Sequence, residues 1–375
     1  MKVIRLTYLL VLWFLAGASH AADLAESIEA VRGVGPHGQG HVEAAAAWGR
    51  LARADAAELT TLLGAMDGAN PLAANWMRTA VDAVAERAVR QGEALPLEEL
   101  ERFVLDRSHA ARARRLAYEM LVSHDPEAEQ RLIPGMVDDP SLELRRDAVA
   151  KVIEEAQAAQ KDEDRQRAVA AYRRALPAAR DQDQIRLVSE QLRKLGEEVE
   201  LQRLMGFIAQ WKLIGPFDNT DQRGFDAEYP PERELDFGAT YDGKHGKVEW
   251  IEHTTTDDYG KVDLNEVIVE EKEVVAYGAA EFHSDREQTV EFRITSYNAV
   301  RLWVNGRPVI ERNVYHSGSQ LDQYVGEAVL QKGRNLILVK VCQNAQTQDW
   351  ARHWSFQLRV CDEVGNPVYS DKPAK

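Results

Sequence analysis

The spacing of apolar residues changes once along the chain, near residue 211. Between residues 23 and 205, apolar positions recur every three or four residues, as on one face of an α-helix. From Trp211 onward, short runs rich in Val, Thr and Tyr are separated by turns that contain Gly and Asp, which is typical of β-strands. The pattern predicts a helical first half and a β second half. Clear examples of the helical spacing are Leu59, Leu62, Leu63 and Met66, and then Met77, Val81, Val84 and Ala88.

The predicted helices come in pairs. The pairs span about 96–123, 126–158 and 162–195, so equivalent helices recur at intervals of about 30–35 residues. Helix pairs repeated at this interval stack into an α-solenoid, in which each pair contacts only its neighbours. We therefore expect residues 22–206 to form an α-solenoid of HEAT or armadillo-like helix pairs, which either binds a protein partner or acts as a structural spacer.

The second half contains about eight predicted strands in about 160 residues, with no helical spacing among them. Many short strands joined by turns are typical of an antiparallel β-sandwich. We therefore predict a sandwich of the jelly-roll type over residues 207–375. Its predicted strands cover 211–215, 247–251, 274–282, 288–294, a hairpin at 299–311, and then 327–330, 336–343 and 354–361.

The hairpin at 299–311, AVRLWVNGRPVIE, is the most specific local signal. Asn305-Gly306 is the two-residue signature of a type I′ turn, because both central positions need positive φ. Pro308 cannot donate a ladder hydrogen bond, which predicts that the second strand lies at an edge of its sheet. The turn also predicts the cross-strand pairs Val304 with Arg307, Trp303 with Pro308 and Leu302 with Val309.

The chain has two cysteines, Cys342 and Cys361, and an exported protein could join them in a disulfide. If 336–343 and 354–361 were the two arms of one hairpin, Cys361 would lie about 20 Å from Cys342 along the partner strand. Cysteines that far apart cannot bond. On this assumed pairing we expect two thiols.

Two stretches resemble known families. Asp138-Asp139-Pro140, followed by Arg145-Arg146, resembles the turn and inner helix of a HEAT repeat. LWVNGRPVI at 302–310 and LQKGRNLILVKV at 330–341 resemble the galactose-binding-like jelly roll, a module that accompanies many glycoside hydrolases. The chain as a whole is similar to uncharacterised secreted bacterial proteins that join these two halves. The resemblance implies an architecture and carries no activity.

The first residues predict export. Lys2 and Arg5 precede an apolar run over 6–18, and small residues follow up to Ala21. This order is typical of a secretory signal peptide, here residues 1–21, cleaved after Ala21. A membrane anchor is the alternative, but a spanning helix needs about 20 apolar residues. We expect a periplasmic or extracellular protein with no membrane span after cleavage.

Charge argues against nucleic acid as a partner. The chain carries 46 Lys and Arg against 61 Asp and Glu, a formal net charge of −15. Without Lys2 and Arg5, 44 basic residues face 61 acidic ones, a net charge of −17. Phosphate backbones repel such a protein unless it has a local basic patch.

The sequence contains no motif of an enzyme family or cofactor site that we can recognise. It lacks the G-x-S-x-G, H-E-x-x-H and C-x-x-C-H patterns. The match to G-x-G-x-x-G at 33–38 follows a predicted helix and contains Pro36, so a loop explains it better than a dinucleotide site. We expect no cofactor. A structural calcium in the sandwich stays open, although the acidic segment 257–263 lacks EF-hand spacing and is better explained as a turn.

One group of loop residues has the chemistry of a sugar site. Sugars are recognised by an aromatic face against the C–H patch of the ring and by polar groups that bind the hydroxyls. Alternatively, the tryptophans close the end of the sandwich and the Tyr-His pair caps a turn. The candidate ligand-binding residues are Arg312, Tyr315, His316, Asp322, Trp350, His353 and Trp354, with Gln343 and Asn344 beside them.

Three functions follow as hypotheses. In the first, the protein is a secreted, non-enzymatic binding protein whose sandwich recognises carbohydrate or a cell-envelope polymer, with the helices as scaffold. In the second, both halves contact protein and no sugar is bound. In the third, the protein is a hydrolase with a carboxylate pair that no motif identifies.

Overall fold

The structure is a computed structural model that describes residues 22–371. The predicted signal peptide, residues 1–21, lies outside the described residues. The described residues divide into two compact units, with the boundary between Asp181 and Gln182. Helices form the first half of the chain and antiparallel sheets dominate the second, as the spacing of apolar residues predicts. Within the described residues, no helix is both long enough and apolar enough to cross a membrane.

The first unit consists of helices joined by short turns. A helix over 22–32 precedes the G-x-G-x-x-G match, where a dinucleotide site would need a strand. The predicted helical face at 76–89 belongs to the longest helix, in which Met77, Val81 and Val84 are fully buried. The helices are α1 (22–32), α2 (His41–Leu51), α3 (Leu59–Gly64), α4 (Pro71–Gln91), α5 (Leu97–Leu105), α6 (Ala111–His124), α7 (Glu127–Leu132), α8 (Leu142–Lys161) and α9 (Arg165–Ala175).

A buried ion pair connects helix α6 to the turn before α8. Arg114 of α6 and Asp139, which precedes α8, are each 1% exposed. The two guanidinium nitrogens of Arg114 donate to the two carboxylate oxygens at 2.7 and 2.8 Å, and its Nε donates to the Val104 carbonyl. Asp139 also accepts the Ser141 N–H at 2.8 Å. The pair therefore satisfies both buried charges and fixes the start of α8.

The second unit holds the sheets and a few further helices. Those helices are α10 (Gln182–Lys194), α11 (Leu201–Leu204), α12 (Pro230–Arg233) and α13 (Leu264–Val267). The strands are β1 (Gln210–Asp218), β2 (Thr240–Asp242), β3 (Lys247–Glu249), β4 (Ile251–Thr254), β5 (Val262–Asp263), β6 (Val274–Ser284), β7 (Gln288–Ser296), β8 (Ala299–Val304), β9 (Arg307–Arg312), β10 (Tyr324–Leu330), β11 (Gly333–Gln343) and β12 (Ser355–Cys361).

Two antiparallel sheets of this unit share one buried core. Six strands pair in the order β4-β1-β6-β11-β8-β9, and four pair in the order β10-β7-β12-β5. Strands β2 and β3 form a separate ribbon. Apolar side chains from both sheets form one cluster, in which Trp211 of the larger sheet meets Phe356 of the smaller edge to face at 4.9 Å. This core places the ends of the long strands, and the loops that follow them, at fixed positions.

The hairpin forms with the predicted turn and with one change of register. Asn305 and Gly306 both have positive φ, 51° and 75°. Val304 pairs with Arg307 and Trp303 with Pro308, as predicted, and β9 lies at the edge of its sheet. The predicted pair of Leu302 with Val309 is wrong, because the register shifts there and Leu302 pairs with Ile310. A bulge lets Ile310 reach the core beside Leu302.

Replacing Gly306 with alanine tests this turn. A Cβ at Gly306 would meet no atom within 4 Å, so the expected cost arises only from the left-handed backbone at φ +75°. We expect Gly306→Ala to destabilise the sheet unit by about 1 kcal/mol. Urea unfolding followed by tryptophan fluorescence measures the change. Gly238→Ala, at a glycine whose φ is not left-handed, is the control and should be close to neutral. Equal effects would contradict this account.

The cysteines do not lie on two arms of a hairpin. Cys342 is on β11 in the larger sheet, and Cys361 is on β12 in the smaller one. The assumed pairing of 336–343 with 354–361 is therefore wrong, because β11 pairs with β6 and β8. No disulfide joins the two residues, and both are fully buried. The two residues are thiols, as expected, although the strand pairing on which that expectation rested is wrong.

Candidate functional site

Several loops meet at the end of β11, around Gln343. Its side chain is fully buried and accepts a hydrogen bond from Asn298 Nδ2 at 2.9 Å. Its own Nε2 donates to the carbonyl of His353 at 3.2 Å. Asn219, which follows β1, donates from Nδ2 to the Gln343 carbonyl at 2.8 Å. One glutamine thus holds together the β7–β8 turn, the loop after β11 and the segment after β1.

His316 is fixed in orientation by the loop after β11. The Gln346 N–H donates to Asn344 Oδ1 at 3.1 Å, and Asn344 Nδ2 donates to Gln346 Oε1, which sets the Asn344 amide. His316 Nε2 lies 2.8 Å from that Oδ1 and must therefore be the donor. Nδ1 of His316 is buried and has no hydrogen-bond partner in the described part of the chain.

Two pairs of rings lie above this polar network. Trp350, in the short turn Asp349–Ala351, is 56% exposed and meets His316 at 5.2 Å with an interplanar angle of 81°. His353 stacks on Tyr297 at 4.6 Å and 22°. Trp350 and His353 are exposed, whereas Tyr297 and His316 are half-buried and support them. We call Tyr297, His316, Asn344, Trp350 and His353 the ring cluster.

Tyr315 and Arg312 border the ring cluster. The Tyr315 hydroxyl accepts a hydrogen bond from Asn219 Nδ2 at 3.2 Å. Burial raises the pKa of this hydroxyl to about 12, and the nearby Cys342 sulfur adds to the effect, so it stays protonated. Arg312 is exposed at the end of β9, with its guanidinium 5.6 Å from the centre of the Tyr324 ring. Arg312 is thus exposed, whereas Tyr315 is half-buried.

Asp322 lies elsewhere than the ring cluster and has other partners. Its carboxylate accepts hydrogen bonds from Arg359 at 2.7 Å and from Arg293 at 2.9 Å. Burial by itself would raise the pKa of Asp322, but the hydrogen bonds and charges of Arg359 and Arg293 outweigh it and hold the pKa below its usual range. Both carboxylate oxygens are engaged with these arginines. Asp322 therefore stabilises the smaller sheet instead of presenting a carboxylate to a ligand.

Trp354 is a core residue. Its side chain is 0% exposed and its indole N–H donates to the Val341 carbonyl at 3.2 Å. The alternative interpretation, in which a tryptophan closes the end of the sheets, describes Trp354, and Trp350 four residues earlier is the exposed one. Trp354 directly precedes β12, which begins at Ser355, whereas Trp350 lies in the turn Asp349–Ala351.

The structure adds Tyr297 and Asn298 to the candidate residues. They form the turn between β7 and β8, and the Tyr297 carbonyl accepts the His316 N–H at 2.6 Å. The signal in the sequence was a Ser-Tyr-Asn break between two apolar runs, which resembles any tight turn. Their importance arises from the long-range contacts to Gln343 and His353.

Among residues 22–371, no group of three or more His, Cys, Asp or Glu side chains could hold a metal ion. In the acidic segment 257–263, Asp257 Oδ1 accepts the N–H groups of Tyr259 and Lys261 at 2.9 and 3.1 Å. These are the bonds of an Asx turn, so residues 257–261 form a turn, as the sequence indicates, and Val262–Asp263 are strand β5.

No protein-family model matches the chain, and no curated protein matches it. Among solved structures, it is similar to a β-glucosidase from Kluyveromyces marxianus in complex with glucose, with 11% identity over 41% of this chain and 17% of that chain, at a TM-score of 0.26. It is also similar to an anti-sigma factor domain-containing protein from Clostridium clariflavum, with 14% identity over 44% of this chain and 49% of that chain, at a TM-score of 0.26. Likenesses this distant define neither a family nor an activity.

Proposed function

We propose that the protein is an exported, non-enzymatic binding protein that uses the ring cluster to bind carbohydrate or a cell-envelope polymer. The observation that carries the proposal is Trp350, a tryptophan 56% exposed and held edge to face by His316. A large aromatic ring costs free energy when it faces water, and a sugar's C–H face offers it a partner.

The surroundings of Trp350 support the same ligand class. Hydroxyl groups of a sugar need donors and acceptors in fixed positions, and the exposed loop before β10 supplies them. Gln323 donates to Ser317 Oγ at 2.8 Å and to the Gly318 carbonyl at 3.1 Å, which holds that loop in shape. His353 offers a second exposed ring, stacked on Tyr297. The polar groups are thus pre-organised in the loop whose His316 meets Trp350.

The finer architecture is part of the same proposal. The two packed antiparallel sheets fit a jelly roll of the galactose-binding-like kind, and the helix pairs fit a HEAT-like solenoid. The Arg114–Asp139 pair supports the second, because it links the turn of one helix pair to the inner helix of the previous one. In this proposal the helices act as a scaffold that displays or docks the sheet unit.

Binding of residues 22–375 to a panel of immobilised glycans and envelope polysaccharides tests the function. We expect at least one polysaccharide to bind and Trp350→Ala to weaken that binding by about tenfold, because one stacked ring contributes about 1 kcal/mol or more. Affinity measured by titration calorimetry gives the ratio. Tyr369→Ala, at a residue 53% exposed and outside the ring cluster, should bind like the unaltered protein.

Absence of binding to every polysaccharide would overturn the proposal and direct the search to a protein partner. Binding that survives Trp350→Ala but is lost with Tyr369→Ala would locate the site elsewhere. Because Trp350 packs on the surface, its replacement should leave the unfolding midpoint unchanged, which separates a binding defect from a folding defect.

A further inference from the structure

The outer face of the larger sheet is covered by a segment with little regular structure. Residues 219–233, here called the strap, run from the ring-cluster end of the sheets across β11 and β6. The strap contains only two short helical turns, Thr220–Phe225 and Pro230–Arg233. Beneath it lie Tyr277, Leu338 and the fully buried thiol of Cys342.

The strap is fastened to the sheet by a buried ion pair. Lys340, in the middle of β11, is 0% exposed, and its ammonium donates to Glu232 Oε1 at 2.8 Å. The other two protons go to the carbonyls of Phe225 at 3.1 Å and Ala227 at 2.7 Å. Every hydrogen-bond partner of this ammonium therefore belongs to the strap.

Glu232 contributes further bonds to the same attachment. Besides Lys340, its carboxylate accepts the hydroxyl of Tyr277 from the sheet. The rings of Tyr229 and Tyr277 lie 5.6 and 5.7 Å from the Lys340 ammonium. A charge buried this completely is stable only with its partners in place, so the attachment is made as a whole or lost as a whole.

The start of the strap is strained. Asp221 and Gln222 are consecutive residues with φ of 57° and 62°, a left-handed conformation that side chains other than glycine rarely adopt. At Gly224 a Cβ would come within 2.5 Å of the Asp218 carbonyl and 2.7 Å of Val275, so the chain passes directly against β6. The strap thus combines a strained turn at its start with a polar attachment that extends from Phe225 to Glu232.

We propose that the strap is a lid that opens as a unit on the larger sheet, with Asp221 and Gln222 as its hinge and the Lys340–Glu232 pair as its latch. Opening separates the latch, relaxes the hinge and exposes the aromatic face around Tyr277 and Cys342. Segments with little regular structure open locally while the rest of a protein stays folded, and here opening also separates Phe225 and Tyr229 from the cluster around Tyr277. The inference is independent of carbohydrate binding, although Asn219 joins the strap to Tyr315 and Gln343, which lie next to the ring cluster in the chain.

The two cysteines report on this opening separately. Burial raises the pKa of the Cys342 thiol to about 12, so it reacts with alkylating reagents only after exposure. Cys361 lies on the other sheet and is also fully buried. Alkylation of the folded protein, with each cysteine peptide quantified by mass spectrometry, therefore distinguishes local opening at the strap from global unfolding.

We expect Glu232→Gln to raise the alkylation rate of Cys342 by about tenfold and to leave the rate of Cys361 unchanged. Lys340→Met, which removes the other half of the latch, should act in the same way. Glu252→Gln, which removes an exposed acid paired with Lys212 on the same sheet, should change neither rate. Equal acceleration of both cysteines in the two latch variants, or no acceleration of Cys342, would overturn the lid.

Discussion

Asp139→Ala is expected to destabilise the helical unit by about 3–5 kcal/mol. The substitution leaves the Arg114 guanidinium buried at 1% exposure without the carboxylate that neutralises it. It also removes the acceptor of the Ser141 N–H at the start of α8. Urea unfolding followed by circular dichroism at the helical band measures the change.

The neighbouring residue supplies the control. Asp138 pairs with Arg107 at 2.8 Å, but its side chain is 72% exposed. Solvent screens such a pair, so Asp138→Ala should cost less than about 1 kcal/mol. A double variant with Arg114→Leu and Asp139→Leu should recover much of the lost stability, because buried pairs replaced by apolar side chains are often neutral. If Asp138→Ala and Asp139→Ala lowered the free energy of unfolding equally, burial would not determine how much the Arg114–Asp139 pair contributes to stability.

The local features of the fold were predictable because they depend on neighbouring residues. Helical spacing in 76–89 reflects one buried face of α4, and Asn305-Gly306 fixes the hairpin turn through its own backbone preferences. The predicted register is wrong at Val309 because a bulge there lets Ile310 reach the core. Ile310 packs there against β8 and the smaller sheet. The register at this position is therefore set by contacts between strands that are distant in sequence.

The candidate site was less predictable for the same reason. The loops that carry His316, Trp350 and His353 were predicted from their composition. The structure pairs His316 with Trp350 and stacks His353 on Tyr297, whose carbonyl accepts the His316 N–H. Composition could not show that Trp354 is buried or that Asp322 faces two arginines, because both outcomes depend on which strands share a sheet. The cysteine geometry failed for that reason as well. The role of Lys340 was not predicted either, because a lysine among the apolar residues of β11 does not indicate that a strap covers it.

Asp322→Asn is expected to destabilise the sheet unit by about 3 kcal/mol at neutral pH. The carboxylate holds Arg359, which is 1% exposed, and Arg293 from the neighbouring strand β7. An amide of the same size leaves both guanidinium groups without that negative charge. Arg293 retains Glu291 at 2.6 Å, so most of the cost arises at Arg359, whose other hydrogen bond is to the Met205 carbonyl at 3.3 Å.

The cost of this substitution should depend on pH. The pKa of Asp322 is lower in the folded protein than its ordinary value of 3.8, so the unfolded chain binds the proton first as pH falls. The stability contributed by the carboxylate is thus fully present at neutral pH, begins to fall near pH 5 and is lost as pH drops through the folded pKa. Urea unfolding followed by tryptophan fluorescence should give a smaller difference between Asp322→Asn and the unaltered protein at pH 3 than at pH 7. Asp285→Asn, at an exposed aspartate, should show no such trend. A difference that stays constant from pH 7 to pH 3 would mean that the cost comes from packing or hydrogen bonding and not from the charge.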